Sequence, residues 1–197
     1  MGKPICIATL GTSLTYDGVY ESGGEWQGLV QVGLRAGTSR PVTVYNFGVA
    51  SQDSNQRIAQ LQAGMWLPYR PEIIIVEFSI NDAYTPRSIT PAQCKANALT
   101  IINMFKAQDP NVKAFVMTMN PCVPGSGPAL DRPNLPLYTA KYREIAAENP
   151  DIGLIDNEPD WGTPTFTQLT DGIHPTRAAE TPIIAPNIIE AVLPFIN

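Results

Sequence analysis

The chain is poor in charge and nearly without histidine. Only 16% of its 197 residues are charged, and His174 is the single histidine. Its three cysteines, Cys6, Cys94 and Cys122, are odd in number and form no Cys-x-x-Cys pair. Neither a disulfide framework nor a structural zinc site is expected from that set. Cys6 lies inside an apolar run and reads as a buried thiol. No block of lysine or arginine exists, and 13 basic against 18 acidic side chains leave a net charge of −5. That balance argues against a nucleic-acid partner, which would reward a basic cluster, and leaves a neutral substrate open. No apolar span reaches the length of a membrane helix. The first residues, Met-Gly-Lys-Pro-Ile-Cys, show no signal peptide. The expected location is cytoplasmic, or extracellular if a leader has been removed. Repeats and flexible linkers are also missing. With 44% hydrophobic residues, residues 1–197 are expected to form one domain that holds its core without a disulfide or metal.

What is present is a series of short apolar runs: Ile5–Leu10, Val42–Phe47, Ile73–Phe78, Val112–Thr118 and Ile152–Ile155. Several are continuous rather than alternating, as strands covered on both faces should be. Between them the spacing predicts helices. Gly24–Gly37 places Trp26, Leu29, Val30, Gly33 and Leu34 near one face, and Asp53–Ala63 turns Ile58 and Leu61 inward. Pro91–Gln108 carries Ala98, Ile101, Ile102 and Phe105, Leu135–Glu148 carries Tyr138, Tyr142 and Ile145, and Ala178–Leu193 carries Ile183, Ile184, Ile188 and Val192. Pro182 and Pro186 make the start of the last one ragged. Thr90 is placed to cap its helix, with Pro91 in the first position and Gln93 as capping-box partner. Strand and helix in alternation mean an α/β fold, a parallel sheet with helices on both faces. One long loop rich in Pro, Gly and Asn, about 120–136, follows the fourth strand. It is either a functional loop or a surface connection.

Ser13 follows the first strand by three residues, in Ile7-Ala8-Thr9-Leu10-Gly11-Thr12-Ser13-Leu14-Thr15. That is the rim of the crevice where open α/β sheets bind ligands. It is a turn residue or a nucleophile. No phosphate-loop or dinucleotide glycine pattern surrounds it. A serine hydroxyl needs a base near neutral pH, and histidine is the usual one. His174 stands in Asp171-Gly172-Ile173-His174-Pro175, where Asp171 can orient one ring nitrogen while the other faces a serine. Asn81, after the third strand in Ser79-Ile80-Asn81-Asp82, either caps a turn or donates to an oxyanion. Gly48, ending the second strand in Asn46-Phe47-Gly48, serves the turn or lets a backbone N–H approach the same oxyanion. A parallel sheet brings all four points to one edge.

Taken together these blocks resemble the SGNH, or GDSL-type, hydrolase family over almost the whole chain. Gly11-Thr12-Ser13-Leu14 resembles the block Gly-Asp-Ser-Leu, Gly48 matches the glycine of the second block, Ser79-Ile80-Asn81-Asp82 resembles Gly-x-Asn-Asp, and Asp171 to His174 matches Asp-x-x-His. The resemblance implies a three-layer α/β/α sandwich of flavodoxin-like type, with five parallel strands in the order 2-1-3-4-5. It implies a catalytic triad of Ser13, His174 and Asp171 and an oxyanion hole of Ser13, Gly48 and Asn81. Thr12 and Ser79 depart from the family pattern, an aspartate and a glycine respectively. Thr12 is expected to hold the turn by local hydrogen bonds.

The reaction so implied is ester hydrolysis through an acyl-enzyme, with no metal or organic cofactor required. The family includes arylesterases, thioesterases, lysophospholipases and carbohydrate deacetylases. A short chain without a greasy lid points to small acyl groups such as acetyl. Tyr16, Asp17, Gln52, Asp53, Asn55, Tyr84 and Asn120 sit on expected crevice loops and would suit a sugar or other hydrated alcohol. Trp161 and Phe166 are either a wall of that crevice or packing beneath the last loop. The partner is then a small-molecule or carbohydrate ester, with no nucleic acid and no membrane. Two rival readings are a non-catalytic binding domain of the same fold and a nucleotide or flavin binder. The second gives Asp171 and His174 no task.

Overall fold

The computed structural model describes residues 3–16, 26–65, 67 and 70–197. Its sheet contains β1 (Ile5–Gly11), β2 (Val42–Gly48), β3 (Ile73–Glu77), β4 (Lys113–Thr118) and β5 (Ile152–Asp156), all parallel, in the order β2-β1-β3-β4-β5. The continuous Ile and Val runs sit where both faces are covered: all of β3 is buried, while the edge strand β2 alternates less cleanly and is half-buried along its middle. The order reverses direction at β1, so the crevice opens beyond the carboxyl ends of β1 and β3.

The helices are α1 (Ser13–Tyr16), α2 (Trp26–Gly37), α3 (Ser54–Gln62), α4 (Ser79–Asp82), α5 (Pro91–Gln108), α6 (Gly127–Leu130), α7 (Leu135–Glu148), α8 (Glu158–Trp161), α9 (Arg177–Glu180) and α10 (Ile184–Val192). α2 packs with α10 and β2, whereas α5 packs between α3 and α7, giving three layers. The expected inward residues Leu61, Ala98, Ile101, Ile102, Phe105, Tyr138, Tyr142, Ile145, Ile184, Ile188 and Val192 are buried, and Ile58 and Ile183 are partly so.

Several expectations are corrected. Leu29 is 40% exposed, because α2 buries Trp26, Gln27, Val30 and Leu34 instead. The start of that helix at Gly24 lies outside the described residues. Cys6 is only half-buried. The C-terminal helix is two helices: Pro182 has no N–H to continue α9, while Pro186 falls in the first turn of α10, where it is tolerated. The 120–136 loop contains α6, whose cap Ser126 accepts the Ala129 N–H, and α7 already begins at Leu135. Thr90 caps α5, but Gln93 turns to Asn97 Oδ1 at 3.0 Å, so only half the box forms there. The complete box belongs to Asp53 and Gln56 at α3.

At the carboxyl edge, register aligns Gly48 of β2, Gly11 of β1 and Glu77 of β3 in one row across the sheet. A Cβ on Gly11 would stand 2.2 Å from Thr15 Oγ1, and one on Gly48 would stand 2.3 Å from the Tyr16 nitrogen. Two missing side chains therefore make the seat on which α1 rests.

Candidate active site

Ser13 opens α1, and one turn of helix cannot hold itself. Its neighbours hold it. Trp26 Nε1 donates to the Leu14 carbonyl at 3.2 Å, Gln27 Nε2 to the Thr15 carbonyl at 2.7 Å, and Asn46 Nδ2 to the Tyr16 carbonyl at 3.1 Å. The carbonyls that a helix end leaves orphaned are thus satisfied by α2 and β2. On the inner side, Glu77 Oε2 accepts from the Thr12 N–H at 3.2 Å, the Thr12 hydroxyl at 2.9 Å and the Thr15 hydroxyl at 3.2 Å. Thr12 does hold the turn, as its position suggests, and it does so through β3.

His174 arrives from a loop between α8 and α9. One Asp171 oxygen accepts the Ile173 N–H at 3.0 Å and the His174 N–H at 2.8 Å, while the other meets His174 Nδ1 at 2.7 Å. Burial disfavours the Asp171 carboxylate, but these N–H groups outweigh it and hold its pKa below the ordinary range. With Nδ1–H directed at Asp171, Nε2 is left to accept, and it stands 2.8 Å from Ser13 Oγ. Gly172 has φ +91° in the described structure and a Cβ there would lie 2.7 Å from Ser126, so the tight loop needs glycine.

Asn81 sits on α4 at the end of β3, with Nδ2 donating to the Gln52 carbonyl at 3.0 Å. Among the described residues that is the one acceptor its amide hydrogens meet. The Gly48 N–H, by contrast, is donated to Asn46 Oδ1 at 2.9 Å. This corrects the expected place of Gly48 in the oxyanion hole: its glycine is explained by the close approach of α1, and its N–H is already spent.

The model of the GDSL-like lipase/acylhydrolase family matches residues 9–180. The chain belongs to this family. It is accordingly an ester hydrolase of the GDSL/SGNH type. No curated protein sequence matches it. Among solved structures it is similar to a lipase/acylhydrolase from Enterococcus faecalis, at 18% identity and TM-score 0.78, covering 98% of this chain and 97% of that one. A carbohydrate esterase family 3 protein from Talaromyces cellulolyticus is similar at 15% identity and TM-score 0.75, covering 98% of each chain. A catalytic mutant of an acetylxylan esterase from Geobacillus stearothermophilus is similar at 16% identity and TM-score 0.68, covering 100% of this chain and 96% of that one. At these identities the likeness is one of fold.

Within this GDSL-type site, the residues expected to line the crevice divide. Tyr16 is exposed on α1, and Asn55 is exposed on α3, its Oδ1 taken by Asn97 Nδ2 at 2.8 Å. Asp53 is a buried helix cap paired with Arg87 at 3.3 Å, and Asn120 is buried with Nδ2 on the Ile173 carbonyl at 2.7 Å. Neither lines a surface. Asn120 instead tethers the histidine loop. Trp161 is 3% exposed and packs in the core, whereas Phe166 is 56% exposed. Tyr84 lies under the Arg132 guanidinium, 4.8 Å from its ring centre. Asp17 lies outside the described residues.

Three supports were not foreseen. Glu77 is one. Arg132 bonds the Ile80 carbonyl at 2.7 Å and so steadies α4 beside Asn81. Asp82 accepts from the Ser54 N–H and hydroxyl at 2.9 and 2.7 Å, joining α4 to α3. Each partner lies 28 residues or more away, which local pattern cannot reveal. Among the described residues no group of three His, Cys, Asp or Glu is placed to hold a metal ion.

Proposed function

We propose that this GDSL-type hydrolase is a serine esterase that cleaves short-acyl, principally acetyl, esters of carbohydrates or similar hydrated alcohols. One observation carries the mechanism: Ser13 Oγ, His174 Nε2 and Asp171 Oδ2 form an unbroken hydrogen-bonded line of 2.8 and 2.7 Å. His174 takes the Ser13 proton as Oγ attacks the ester carbonyl. The oxyanion is held by the Ser13 N–H and the second Asn81 amide hydrogen. The imidazolium, steadied by Asp171, protonates the departing alcohol. Water then attacks the acyl carbon as His174 takes its proton, and His174 returns that proton to Ser13 Oγ as the acid leaves.

The alcohol side is supported by a groove of about 400 Å³ whose wall is the 49–52 turn, on which Asn81 hangs. Val49, Ala50, Ser51, Gln52, Gln56, Ala59, Gln60 and Arg87 line it. Its one guanidinium is spent on the Ser51 carbonyl and Asp53. The three glutamine amides and the Ser51 hydroxyl, set among small apolar side chains, offer partners for the hydroxyls of a hydrated alcohol. Similarity in fold to an acetylxylan esterase and to a carbohydrate esterase points the same way.

A panel crossing acyl length with leaving group, run on wild type and Ser13→Ala, tests this. Acetylated xylooligosaccharides and acetyl monosaccharides are expected to turn over fastest, with no turnover above background in the variant. Preference for octanoyl or thioester substrates overturns the substrate class. Activity that survives Ser13→Ala overturns the nucleophile.

A further inference from the structure

We propose that Glu77 is a positioning residue for the nucleophile, holding Ser13 in its reactive pose through Thr12 and Thr15. The proposal rests on the serine-esterase reading above.

The geometry is specific. Glu77 Oε2 collects three donors: the Thr12 N–H, the Thr12 hydroxyl and the Thr15 hydroxyl. The Thr12 oxygen in turn accepts the Leu14 N–H at 3.2 Å. The residues on both sides of Ser13 are thereby hung on one carboxylate oxygen that belongs to a neighbouring strand, 65 residues away in sequence. Consuming the Thr12 and Leu14 N–H groups inward leaves the Ser13 N–H as the donor that can face an oxyanion.

Glu77 is a costly residue for mere packing. It is fully buried and, among the described residues, makes no ion pair and leaves Oε1 without a partner. An apolar side chain of similar size would fill the site without that desolvation. The charged and titratable groups around it give no compensation: Asp82 on α4, Cys94 on α5 and Tyr142 on α7 are all acidic or neutral. From β1 and α1 it meets the two threonines. Burial, opposed by the threonine bonds and reinforced by Asp82, pushes its carboxyl up to about 7. Near neutral pH the acceptor is therefore close to losing its charge, and the seat of Ser13 slackens as the medium turns acid.

The test compares wild type, Ser13→Ala, Glu77→Gln and Glu77→Leu by kcat and KM on 4-nitrophenyl acetate and by the rate at which a fluorophosphonate labels Ser13. Circular dichroism and thermal unfolding check the fold. Glu77→Gln keeps an oxygen acceptor but cannot ionise. It is expected to lose about threefold to tenfold in kcat with KM nearly unchanged, and to lose one ionisation from the acid side of the kcat profile. Glu77→Leu removes the acceptor and is expected to lose about 100-fold in kcat and in labelling rate, the scale of a misplaced reacting group. A folded Glu77→Leu within about threefold of wild type in both, or a change in KM alone, overturns the proposal. If Glu77→Leu does not fold, a Glu77→Gln with wild-type kcat and pH profile overturns it. Wild type without ester turnover overturns the esterase reading instead. The labelling rates then still decide for or against Glu77, and absence of any labelling counts against it.

Discussion

The two halves of the site are built differently. Ser13 stands on a helical turn held by residues of three other elements: Glu77 from β3, Trp26 and Gln27 from α2, Asn46 from β2. His174 stands on a loop whose main order is local, three residues of chain closed by Asp171 on two N–H groups and one ring nitrogen. Two longer tethers reach that loop: Asn120 Nδ2 on the Ile173 carbonyl, and the Val123 N–H on the Gly172 carbonyl at 2.9 Å. Ser13 is part of the sheet edge, whereas His174 stands on a self-folded clip leaned against it. Disturbing the first should alter the chemistry of the serine, and disturbing the second should alter how often the base is in reach.

The largest effect expected is loss of chemistry itself. Ser13→Ala and His174→Ala should each lower kcat by roughly 10⁴-fold or more, measured on an acetyl ester, with unfolding midpoints close to wild type. Asn120→Ala breaks the comparison on the base side. It frees the buried Ile173 carbonyl and should lower kcat about tenfold with a stability loss of about 1–2 kcal/mol in urea unfolding. A drop in stability with unchanged kcat would mean that the local clip needs no tether.

A third prediction concerns the buried carboxyls under the serine side. Glu77 is pushed up to about 7 and Asp82 to about 6, chiefly by burial. In the folded state both keep protons that the unfolded chain has already lost above about pH 4. Their contribution to stability is therefore greatest below the unfolded values and declines as pH rises through about 6 to 7. Asp171 runs oppositely: its lowered pKa adds stability above the ordinary carboxyl range, lost as pH falls through the folded value. The stability of Asp82→Asn relative to wild type should accordingly rise by about 2 kcal/mol between pH 4.5 and pH 8. A flat difference would place Asp82 outside the titrating set.

The smallest effect is expected at Ser51, which holds φ +60° in the turn that carries the Asn81 bond. Ser51→Gly relieves the left-handed strain and should add about 0.5–1 kcal/mol to stability without loss of kcat. A kcat loss there would show that the serine side chain matters to the groove.

Much of this was legible in the chain. The five strands announce themselves because covered strands need continuous Ile and Val, and the helices because burial repeats every 3.6 residues. Asp171 and His174 are readable because an i, i+3 clip closes on itself. Gly48 and Asp53 were visible as residues worth noticing but not in their parts. The N–H of Gly48 is claimed by Asn46, and the carboxylate of Asp53 by its own helix and by Arg87. Asn120 looked like a wall and is a tether, since its partner lies 53 residues further on.

By itself, then, the sequence determined the strands, most of the helices, the Thr90 cap and the Asp171–His174 clip, all of which depend on neighbours a few residues away. Only the tertiary structure decided which N–H groups at the sheet edge are already bonded and what holds Ser13 in place. Those outcomes turn on Glu77, Asn46 and Asn120 reaching across the sheet edge. A hydrogen bond between strands is set by register and packing rather than by spacing along the chain.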